Sequence, residues 1–392
     1  MAAVWQPPTA ATLTAAIGLN TVPKDLQPWL QPSSFPPIPE PDEDDWGRGK
    51  GQTFDKYVEA KPQRVDVAPS ASTSSAQRKP SMATMRRVIY LQPLGSEKTA
   101  AAFPCMNTLA RGVTTFFGLE CRVLKMITLS TLEAGGKRIR RRGKQLNASD
   151  INHNLSARLP SDGYTLCAVT MSDVYKGEFN YLFGLAFLKA HVGVFSFYRH
   201  QPNAPECEYF HGRLERQPGD EAVLLRRAFQ TLTHELGHTF GLKHCVYFSC
   251  LMQGANSLEE AEARMPDLCP VCLRKLLFAT KSESAQAVRM RYQQLSQFFA
   301  EQPESFPAHL AWVQSRLGDA PAALSKPTTL ESAGQAIGRD DLSELKETGQ
   351  HEQSVQPQMP EMPEMPLPLP SGEDAEEALL HAAVCAPCEE GY

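Results

Sequence analysis

His234-Glu235-Leu236-Gly237-His238-Thr239-Phe240-Gly241-Leu242-Lys243-His244 is the stretch that decides how this chain is read. Residues four apart on a helix share a face, about 6 Å apart along the axis, so His234 and His238 can bind one zinc ion. Asp220 is the expected N-cap and Glu221 favours the first turn, giving a helix that runs to about Phe240. Leu225, Phe229, Leu232 and Leu236 form a separate apolar stripe, so one face suits a core and the other a cleft. Gly241 is expected to end the helix in a left-handed conformation and turn the chain back, bringing His244 to the metal as third ligand. Three protein ligands leave a fourth position open for water and substrate. Glu235 stands beside the metal without being needed as a ligand. Its expected role is general base, taking a proton from metal-held water and passing it to the leaving amine. The short form of this motif recurs by chance, but the added glycine and third histidine at fixed offsets make the match specific. A zinc module that binds partners without cleaving them is the alternative reading, and the intact Glu235 argues against it.

The cysteines extend the pattern. Cys245 and Cys250 follow His244 closely, and Cys269-Pro270-Val271-Cys272 follows Cys250 after a gap of 18 residues. Two close pairs suit a structural zinc held by four thiolates, which would clamp the loop after the active-site helix to the next helix. Buried unpaired cysteines, or a redox pair at 269 and 272, are the competing readings.

These residues together resemble the archaemetzincins, a branch of the metzincin metallopeptidases. The long zinc motif is followed by Cys250-Leu251-Met252 and then by the Cys269–Cys272 pair. The likeness runs from Val88 to about residue 300. It implies an α+β fold, with a twisted five-stranded mixed sheet over a backing helix and an active-site helix, and a cleft below the sheet. It also implies that Met252 is the methionine that packs under the zinc ligands without binding metal. By the same likeness, Gly184, Leu185 and Ala186 belong to a strand that rims the cleft and pairs with an extended peptide substrate. Two zinc ions per chain follow, one catalytic and one structural.

Outward from the motif, the segments alternate. Strands are expected at 88–91, 121–127, 165–171, 182–188 and 192–199, the last two as a hairpin. Helices are expected at 98–118, 148–158, 257–265, 271–280 and 282–300. Residues 1–85 are Pro-rich, then acidic, then rich in Ser and Ala, and are expected to lie outside the fold as a disordered region. Residues 86–300 form the metallopeptidase domain. Residues 301–392 read as partly helical and then low-complexity.

Composition narrows the function. The net charge of −5 gives no footprint for nucleic acid. No apolar run approaches the roughly 20 residues needed to cross a bilayer. Residues 1–23 contain no Lys or Arg and so lack the basic start of a secretory signal. The expectation is an intracellular, cytoplasmic monomer acting on peptides or proteins. The basic run 137–144 reads as a solvated loop, with contact to acidic partners or nuclear import as the alternatives. Cys385 and Cys388 have metal-compatible spacing but no second pair. His191, His200 and His211 read as core or surface residues, with a hydrogen bond to substrate as the alternative.

Overall fold

The computed structural model describes residues 6–39, 51–65, 86–202 and 218–318. Its elements are α1 (Ala10–Ile17), α2 (Phe54–Glu59), β1 (Val88–Leu94), α3 (Glu97–Ala100), α4 (Met106–Phe117), β2 (Cys121–Val123), α5 (Leu129–Ala134), β3 (Arg141–Arg142), β4 (Gln145–Asn147) and α6 (Ala148–Ser156). They continue with β5 (Gly163–Thr170), β6 (Val174–Tyr175), β7 (Gly184–Phe187), β8 (Val192–Ser196), α7 (Asp220–Thr239), α8 (Leu258–Ala263), α9 (Pro270–Thr280), α10 (Ala285–Ala300) and α11 (Pro307–Leu317).

The main sheet has five strands in the order β2-β1-β5-β8-β7. The first four run parallel and β7 returns antiparallel to β8, so the sheet is mixed, as expected. Parallel strands are buried on both faces, and the side-chain alternation shows it. Ile89, Leu91, Cys167, Val169, Phe195 and Phe197 join a core with α4, α7, α9 and α10. Val88, Tyr90, Leu166, Ala168, Val192 and Val194 join a second core with α5 and α6. A three-stranded sheet, β3-β4-β6, lies beside it.

Several expectations need correction. The helix expected over 98–118 is two, because Pro104 cannot donate a helical N–H and restricts the residue before it. The N-cap of α7 is Gly219 at φ 91°, with Asp220 one step inside the first turn, where its charge meets the helix dipole. The basic run is not wholly a loop. Arg142 donates to the Phe179 and Asn180 carbonyls at 2.7 and 2.6 Å, and Gly143 at φ 55° turns β3 into β4.

The largest correction concerns the N-terminal region. Residues 6–39 and 51–65 are packed against the domain, not apart from it. Leu13, Ile17, Leu26, Leu30, Phe35 and Tyr57 share one core with Leu273, Leu276 and Leu277 of α9. Arg274 donates to the Ile17 and Gly18 carbonyls, the latter at 2.7 Å. The domain also runs past residue 300. Trp312 of α11 meets Phe35 edge-on at 4.7 Å, and Arg316 donates to the Trp29 carbonyl at 2.8 Å. Average composition hid this because the apolar anchors are few, irregularly spaced and separated by prolines. Each proline, however, lowers the entropy lost when such a segment docks.

Candidate metal centre

α7 is buried on every side from Ala228 to Thr239, not only along the expected apolar stripe, because it is enclosed between the sheet and the segment that follows. Its end is a Schellman turn. Leu242 N–H donates to the Gly237 carbonyl at 3.2 Å and Gly241 N–H to the His238 carbonyl at 2.7 Å, with Gly241 at φ 82°. The left-handed glycine expected at this position is therefore present. An added Cβ would be strained there and would stand 3.3 Å from the Tyr57 ring. Gly241→Ala is expected to lower stability by about 1–2 kcal/mol. Thermal unfolding checks this, and an unchanged melting temperature would show that the turn does not need glycine.

The turn brings three imidazoles together. The ring centroids of His234, His238 and His244 are 4.8, 5.4 and 5.0 Å apart, and one nitrogen from each lies within 4.8 Å of the others. His234 Nδ1 is 2.7 Å from the Leu251 carbonyl, and His238 Nδ1 is 2.6 Å from the Leu242 carbonyl. Those bonds fix the protons on Nδ1 and leave the Nε2 lone pairs, 3.2 Å apart, facing one point. Zinc–nitrogen bonds of about 2.0–2.1 Å in a tetrahedron require a separation of about 3.3 Å, so the donor set fits that ion. Burial pushes the His234 and His238 pKa values down, the latter to about 4, keeping both rings neutral as ligands must be.

Glu235 is fully buried, and neither carboxylate oxygen has a hydrogen-bond partner. Desolvation raises its pKa to about 8, partly offset by the charge of Arg264. Arg264, also buried, has Nε and Nη2 without partners, and nothing in the sequence pattern singled it out. Above Glu235 lies β7, at the end of the main sheet. Ser196 N–H donates to the Phe183 carbonyl, so by alternation the main-chain groups of Leu185 face β8, and those of Gly184 and Ala186 face away from it. A Cβ at Gly184 would stand 2.8 Å from Glu235 Cδ, so only glycine lets the strand approach so closely.

The second cluster is Cys245, Cys250, Cys269 and Cys272, all buried, with sulfurs within 4.8 Å of one another. Cys245 and Cys269 Sγ are 3.6 Å apart, too far for a disulfide and close to the roughly 3.8 Å edge of a tetrahedron with 2.3 Å zinc–sulfur bonds. The Met252 and Cys269 amides donate to Cys250 Sγ at 3.4 and 3.2 Å. The S–H groups of the other three pull the Cys245 pKa down, while burial holds Cys250 and Cys269 up. Joining both pairs in one cluster disfavours an independent redox pair at 269 and 272. Met252 is fully buried against α7, where a Cβ at Gly237 would stand 2.6 Å from its sulfur. His191 and His200 are buried and stand outside the triad, while His211, Cys385 and Cys388 lie outside the described residues.

The model of Peptidase family M54 matches residues 150–277, which run from within α6 into α9 and include both clusters. Archaemetzincin-2 of Pongo abelii is 31% identical over 247 residues, covering 57% of this chain and 68% of that protein. The chain belongs to the archaemetzincin family. That family is one of zinc-dependent metallopeptidases. Archaemetzincin-2 of Homo sapiens is 32% identical over 212 residues, 50% of this chain and 59% of the relative. The archaemetzincin of Thermococcus kodakarensis is 37% identical over 109 residues, 28% of this chain and 53% of the relative. Across these three archaemetzincins the chain thus spans between about half and two-thirds of the relative's length. A solved archaemetzincin from Archaeoglobus fulgidus, complexed with malonate, is 25% identical, with a TM-score of 0.36, over 48% of this chain and 99% of that one. Among the described residues no helix is long and apolar enough to cross a membrane.

Proposed function

We propose that this archaemetzincin hydrolyses peptide bonds, with His234, His238 and His244 as the catalytic zinc ligands and Glu235 as general base. The four cysteines would hold a second, structural zinc. The observation that carries this reading is the convergence of three imidazoles beside a buried, unpartnered carboxylate. When bound there, zinc supplies Lewis acidity to water and to the scissile carbonyl, and a charge that draws Glu235 toward its ionised form. The residues do the rest. The outward main-chain groups of Gly184 and Ala186 pair with an extended substrate and set its register along β7. Glu235 accepts a proton from the attacking water and returns it to the leaving nitrogen. The apolar walls around it exclude bulk water, which strengthens each of these electrostatic contacts. Met252 supports the floor against Gly237 and takes no part in proton transfer.

The test is hydrolysis of a mixed peptide library by zinc-loaded protein. Cleavage that a chelator abolishes and added zinc restores is expected. Zinc-replete protein without turnover on any peptide would favour the partner-binding module instead.

A further inference from the structure

The route from Phe240, the C-cap of α7, to His244 is a three-residue connector, Gly241-Leu242-Lys243, and its main chain is pinned almost throughout. The Gly241 and Leu242 amides close the Schellman turn, and the Leu242 carbonyl receives His238. The remaining holds come from a single distant side chain. Gln52 Nε2 donates to the Gly241 carbonyl at 3.2 Å, and Gln52 Oε1 accepts the Lys243 amide at 3.2 Å. One amide thus staples both ends of the connector.

Gln52 also reaches the other cluster. Lys275 of α9, fully buried and one turn beyond Cys272, donates through Nζ to Gln52 Oε1 at 3.0 Å and to the Gln52 carbonyl. The same N-terminal region touches the cysteine loop again. The Ser249 amide and hydroxyl donate to the Pro36 and Pro37 carbonyls, each at 3.1 Å, and Phe35 lies edge-on to Phe248. Gly51, at φ 62°, lets the chain pass so close to Val246 and Tyr247 that a Cβ would stand 2.6 Å from each side chain. Residues 35–37 and 51–52 therefore grip 241–250, the stretch carrying His244, Cys245 and Cys250. They lie outside the span matched by the family model.

We propose that Gln52 is a positioning residue for His244, and that the N-terminal segment is a clasp that sets how firmly the histidine triad holds its metal. This rests on the reading of that triad as a zinc site. Gln52 touches neither metal nor substrate. It acts by fixing the backbone that carries the third ligand, as residues behind metal ligands do, with effects of about 10–100-fold in affinity.

The experiment uses the full chain loaded with zinc and titrated with a chelator, following the zinc retained at each site. In Gln52→Ala the histidine zinc is expected to leave at about tenfold lower chelator concentration, with the cysteine zinc unmoved. Gln52→Glu keeps the acceptor for Lys243 and Lys275 but cannot donate to Gly241, and should fall between the two. Cobalt(II) substitution gives a second readout, since the ligand field of the histidine site should change in Gln52→Ala while the thiolate charge-transfer bands do not. Wild-type chelator resistance in Gln52→Ala would overturn the proposal. So would loss of both zincs together in step with a lower melting temperature, because Gln52 would then be a general packing residue. If the wild-type chain bound zinc only at the cysteines, the triad reading itself would fall, and the clasp with it.

Discussion

Glu235→Gln is expected to lower kcat by about 10²–10⁴-fold while leaving the zinc content unchanged. The amide has the same shape as the carboxyl, so the packing beneath Gly184 is kept. What it lacks is the ability to take a proton and give it back. Both oxygens of Glu235 are buried and without partners, so no structural bond is lost on substitution. Peptide turnover and zinc analysis on the same sample check both halves. Undiminished turnover would eliminate Glu235 as the base.

Cys269→Ser is expected to cost one zinc and most of the fold. Structural zinc sites in small domains contribute about 10–16 kcal/mol to the folded state. Whole domains are stable by only about 5–15 kcal/mol, so such a loss is comparable with the total. Cys269 is also the N-cap of α9, and its amide donates to Cys250 Sγ, so the cluster is joined directly to the start of that helix and its loss is felt there. Metal stoichiometry and thermal unfolding read the result. A variant with two zincs and an unchanged melting temperature would show that the four sulfurs do not share an ion.

The site was legible in the sequence where chemistry and local spacing coincide. His234, His238 and Gly241 are separated by helical geometry alone, and the two cysteine pairs by loop and helix-start geometry. The five strands and the β7–β8 hairpin were also legible, but the order of the strands in the sheet was not. What stayed hidden depends on contacts between distant residues. Gln52 carries no motif, and its partners lie 189 to 223 residues away. Arg264 reads as an ordinary helix-end cation until the fold buries it near Glu235. The N-terminal segment looked unfolded because its anchors fit pockets on α9 and α11 rather than forming a periodic face of their own. The continuous burial of α7 was likewise invisible, since periodicity reports one apolar stripe and not what covers the other side.

The clasp also has a direction in time. Residues 35–37 and 51–52 are synthesised early, but the surface they grip, from Gly241 to Lys275, follows at least 189 residues later. Until α9 has left the ribosome, Gln52 lacks its Lys275 partner, and two of the four sulfurs that anchor the cysteine loop do not yet exist. A growing chain can therefore carry all three histidines and Glu235 before its site is closed. Maturation of the centre becomes a late step, delayed until the whole domain is present to restrain it.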